Sequence, residues 1–81
     1  MTIDQVPALM LWARRCVIAS DYQRLYHGTT AHPGLRTRAS GVDWAMWCLS
    51  EDLETGRDWS YSAQSVHMEA TQLARLLIGA R

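Results

Sequence analysis

Residues 42–53 form a helical pattern that is apolar on two opposite sides, and no other feature constrains this chain as tightly. At about 100° per residue, Val42, Ala45, Met46, Leu49 and Leu53 gather on one face, while Trp44, Trp47 and Cys48 gather on roughly the other. A surface helix needs only one apolar stripe, and a helix apolar all round must be covered all round. The chain has 81 residues. At that length folding hides only ~63% of the unfolded surface, and two or three other helices must do the covering. Either the first helix lies over Trp44 and Trp47 as ordinary core, or that face meets a second copy or a foreign partner. Tryptophan is concentrated where protein interfaces carry their binding energy.

The remaining segments supply the other helices. A first helix is expected over about 5–27, capped by Asp4, which puts Pro7 at the third helical position where its missing N–H costs nothing. Val6, Leu9, Met10, Ala13 and Val17 share one of its faces. Ile18, Tyr22 and Leu25 lie nearly opposite, and Ser20 with Gln23 three residues on matches a capping box. The segment is therefore either broken near Ser20 or one long helix buried on two sides. Residues 28–40, punctuated by Gly28, Pro33 and Gly34, read as a loop. Ser40 and Asp43 then suggest a capping box for a helix over 41–55 that stops at Gly56. A last helix is expected over 62–78, with Ser62 as its cap and Tyr61 packed onto Val66. Its seam is Ala63, Val66, Ala70, Leu73 and Leu77, and Arg75 and Arg81 sit at the end that favours cations. The expected architecture is all-α: a compact bundle of three to four short helices in a single domain, 1–81, forming a homodimer.

Apolar residues make up 48% of the chain, which excludes intrinsic disorder. All eight cations are arginine, and lysine, phenylalanine and asparagine are absent. A GC-rich genome accounts for that usage without any function. Eight acids balance the arginines, but unevenly. Residues 1–42 carry five Arg against two Asp, a charge of +3, and residues 43–81 carry six acids against three Arg, a charge of −3. Net neutrality argues against direct nucleic-acid binding. Glu51, Asp52, Glu54 and Asp58 form either a solvated helix end or an acidic patch for a basic partner, and Arg36 and Arg38 are the matching cations of the other half. No apolar run approaches the ~20 residues of a membrane span. The early apolar run is also followed by Arg14 and Arg15 rather than preceded by them, the wrong order for a signal peptide. A cytoplasmic protein is expected, with Cys16 and Cys48 as packing thiols. His27, His32, His67 and the two cysteines match no zinc spacing, so no metal site is expected.

Catalytic motifs are few. Tyr26-His27-Gly28-Thr29 resembles the His-Gly-Thr step of ADP-ribosyltransferases, which would give His27 the task of holding the ribose of NAD. The alternative for these four residues is a helix end closed by Gly28. No nucleophile elbow, phosphate loop or dinucleotide fingerprint is present, so neither catalysis nor a cofactor is expected. Short helices also suit a helix-turn-helix regulator of a phage or mobile element. Its recognition helix would then be 62–78, whose first half carries no cation. In size, compactness and lack of catalytic motifs, the whole chain resembles the small phage-encoded anti-CRISPR proteins. That resemblance implies a non-enzymatic inhibitor that binds a CRISPR effector complex of type I and blocks its binding of target DNA. Trp44, Trp47 and Cys48 would form the partner or dimer interface, with Glu51, Asp52, Glu54, Asp58, Arg36 and Arg38 as charged contacts.

Overall fold

The structure, a computed structural model, describes residues 1–79, and these form three helices and no strand. Helix α1 is Val6–His27, α2 is Gly34–Thr55 and α3 is Ser60–Gly79. Single 3-10 turns at Ile3–Gln5 and Gly28–Thr30 lead into and out of α1. The helices run up, down and up. Arg38 of α2 meets Gln72 of α3 while Asp52 meets Ser62, so these two are antiparallel. Ser20 of α1 reaches the carbonyl of Leu35 in α2. Trp12 and His67 have ring centroids 5.7 Å apart, and Tyr26 and His27 at the far end of α1 share a surface groove with Leu77, so α1 runs parallel to α3. The result is a rod of 42 × 17 × 15 Å.

One pattern builds all three helices. The seam positions are Val6, Leu9, Ala13, Cys16 and Ser20 on α1, then Leu35, Ala39, Val42, Met46 and Leu49 on α2, and Ala63, Val66, Ala70 and Leu73 on α3, with Ala45 and Ser62 buried beside them. Each set advances by alternating steps of three and four, the spacing that keeps a seam facing a neighbouring helix. The seams differ in bulk. Leu35, Val42, Leu49, Val66 and Leu73 are among the largest fully hidden side chains, and each stabilises the fold by ~1.5–3 kcal/mol. All belong to α2 and α3. From its middle onward, α1 fully buries only Ala13, Cys16 and Ser20, with Val17 half-buried beside them.

Several expected boundaries move. The stretch 28–40 is not a loop throughout, because α2 begins at Gly34 and its first turns bury Leu35 and Ala39. Pro33 stands at the N-cap, and His32 just before it accepts the Gly34 N–H on its Nδ1 at 2.9 Å. Ser40 and Asp43 therefore lie inside α2 and cap nothing. At the start of the chain, Thr2 rather than Asp4 makes the terminal contact, its N–H donating to Gln5 Oε1 at 2.8 Å. Helix α1 is continuous through Ser20, which is fully buried, and it is buried on one side only. Helix α3 starts two residues before Ser62, and Asp58 Oδ1 accepts the Ser60 N–H at 3.0 Å. Ser62 is buried and donates to Asp52, while Tyr61 is 79% exposed and staples nothing. Gly28 and Gly56 close α1 and α2 with positive φ angles of 55° and 72°, conformations that glycine adopts without strain. Arg81 lies outside the described residues.

Candidate protein-binding surface

The outward face of α2 follows directly from its seam. With Leu35, Val42, Met46 and Leu49 turned inward, Trp44 and Trp47 must point to solvent, and they are 65% and 54% exposed. Their rings stack on one another, centroids 5.1 Å apart and planes 17° from parallel. Pairing two large rings on the surface hides part of each from water but leaves a broad apolar ridge. The first helix does not lie over these rings. Cys48 is half-buried on the flank toward α3. Cys16 is buried, and loss of water around it pushes its thiol above the usual range.

The charged candidates divide. Asp52 is held by Ser62, and Arg38 by Gln72, so both are engaged within the bundle. Asp58 is occupied at the start of α3; the Ser60 backbone N–H, and then its side chain, hold its carboxyl below the ordinary carboxylate value. Glu51 is half-buried, and Arg36 and Glu54 are exposed. Among the described residues the one ion pair is Arg24 with Asp21 at 2.6 Å. Neither Arg36 nor Glu54 has an ionic partner there.

A second apolar face was legible in the sequence as the far side of the first helical wheel, but not as an open surface. Leu11, Ile18, Tyr22 and Leu25 run along the outside of α1, with Leu25 79% exposed, and Tyr22 stacks on Tyr26. Arg14 and Arg15 are exposed on the same helix. The two faces meet. A shallow groove between α1 and α2 is lined by Val17, Ile18 and Arg14 on one side and by Met46, Trp47 and Asp43 on the other.

Comparison with family models, curated proteins and solved structures finds no match.

His27 is the last residue of α1, and its carbonyl accepts the Thr30 hydroxyl at 2.7 Å, so the four-residue ADP-ribosyltransferase-like step forms a helix end. His67 is exposed on α3 beside Trp12. No group of three or more His, Cys, Asp or Glu among the described residues is placed to hold a metal ion. No described helix is long and apolar enough to cross a membrane.

Proposed function

We propose that this chain is a non-enzymatic inhibitor that acts by covering part of a larger protein complex. The observation that carries this is the uncovered apolar surface of a bundle whose own core is already closed: the stacked Trp44–Trp47 pair on α2 and the Leu11–Leu25 stripe on α1. Monomeric proteins rarely leave contiguous apolar patches of this kind on solvent unless something docks there. A tryptophan ridge beside a stripe with exposed arginines also has the composition that dominates binding energy at interfaces. The resemblance to anti-CRISPR proteins names the partner class, a type I CRISPR effector complex kept from its target DNA.

The test is phage plaquing on cells with an active type I system. Expression of the chain is expected to restore plaquing. The double variant Ile18→Asp/Leu25→Asp, still helical by circular dichroism, is expected to abolish the rescue. Interference that persists in the presence of the wild-type chain removes the CRISPR effector as partner, and rescue that survives the double variant removes the α1 surface.

A further inference from the structure

We infer that the tryptophan face of α2 is a self-association surface that takes the α2 of a second copy, antiparallel, about a two-fold axis near residue 45. This names one occupant of the surface on which the proposed function rests. The argument starts from a charge pattern that is unfavourable in the isolated chain. The positive end of a helix dipole is its N-terminus, so acids belong in the first turn and bases in the last. Helix α2 has neither: no acid lies in its first turn and no base in its last. It carries Arg36 in its first turn and Glu54 in its last, both exposed, and neither has an ionic partner among the described residues.

The spacing of these two residues matters as much as their sign. They are eighteen positions apart, about five whole turns, so they project from the same side of the helix. That side borders the ridge. Trp47, Ser40, Glu51 and Trp44 follow within roughly 80° of it in one direction, and the core positions begin about 60° away in the other, at Ala39. The midpoint of Arg36 and Glu54 is residue 45, and Trp44 and Trp47 straddle it.

A two-fold axis lying over the ridge at the level of that midpoint, perpendicular to α2, makes the face complementary to itself, as an isologous interface requires. The tryptophan pairs meet at the centre. Each Arg36 arrives opposite the partner's Glu54, and Ser40 arrives beside the partner's Glu51. The two helix dipoles run in opposite senses, so each misplaced charge gains both an opposite charge and the favourable pole of the neighbouring helix. A parallel arrangement would instead put arginine against arginine and glutamate against glutamate. In the antiparallel register the two Cys48 are offset by about 7–9 Å along the axis, beyond the reach of a disulfide. Association is therefore independent of reductant.

Sedimentation equilibrium in reducing buffer tests the proposal through a charge swap. The wild-type chain is expected to shift from 9.2 kDa toward twice that mass with rising concentration. Arg36→Glu and Glu54→Arg singly each break two symmetric pairs and should raise the dissociation constant roughly tenfold or more. The double swap, Arg36→Glu with Glu54→Arg, should restore it. A wild-type chain monomeric at all concentrations overturns the proposal, as does a dimer indifferent to the single swaps. Failure here is separable from failure of the proposed function. A monomer that still restores plaquing removes only the dimer, and a charge-sensitive dimer without rescue removes only the inhibitor.

Discussion

Gly41 sits in the middle of α2, where glycine is the weakest helix former short of proline. In the sequence it stands where the expected loop 28–40 gives way to the helix expected over 41–55. In the fold, a Cβ added there would lie 2.7 Å from Glu69 Oε2 on α3. Only the mobile end of a carboxylate side chain is in the way, so it can swing aside. Gly41→Ala is expected to stabilise the protein by ~0.5–1 kcal/mol, read as a rise of a few degrees in Tm; a fall in Tm would mean that α2 and α3 approach more closely here than this contact suggests. Ser20 misled in the opposite direction. Ser-x-x-Gln is a start signal when a helix begins there, but the same residues serve inside a helix when a small side chain must fit against a neighbour. Ser20 is fully buried beside the Leu35 carbonyl, 3.4 Å away. Which role applies depends on α2, and no residue near Ser20 encodes it.

At the level of elements, the seams of α3 and of the second half of α2 were legible because their apolar positions repeat at three and four, even with Trp44 and Trp47 offering a second face on α2. The first turns of α2 were missed because Leu35, Thr37 and Ala39 also alternate at two, between clustered glycines and a proline. Only extension of the Val42, Met46 and Leu49 seam backward through Ala39 to Leu35 distinguishes helix from loop there. The tryptophan face was legible as a face, but its exposure depends on where α1 packs. The start of α3 carries a pH dependence. Asp58 is held below its ordinary value by the Ser60 N–H, so its contribution is present above the unfolded-state value and is lost as pH falls through the folded one. The first turn of α3 should therefore loosen below about pH 4. Asp58→Asn keeps an acceptor that does not titrate and is expected to flatten that acid limb in amide exchange of residues 60–63; an identical limb in both proteins would exclude Asp58 as its source.

Across the whole molecule, bulk is shared unequally. α2 and α3 face each other with Leu35, Val42, Leu49, Val66 and Leu73, whereas past Leu9 α1 fully buries only small residues, packs Met10 and Val17 at the margin and turns Leu11, Ile18, Tyr22 and Leu25 outward. Stability within a fold follows local burial, so amide exchange along residues 10–27 is expected to outpace that of 42–53 and 63–73. Equal protection across the three helices would show that the bundle opens only as a unit. Short connections between neighbouring antiparallel helices keep most contacts local, which favours rapid folding once the chain is complete. The order of synthesis sets a separate condition. The last residue of α1 precedes the end of α3 by some fifty positions, a delay of roughly 3–10 s at ~5–20 residues per second. During that interval α1 precedes the two helices on which its inward face packs, α2 arriving first and α3 last, while its outward stripe stays uncovered throughout. Asp4 and Asp21 offset two of the three arginines of residues 1–27, so a net charge of only +1 opposes association of that exposed segment with a neighbouring nascent chain.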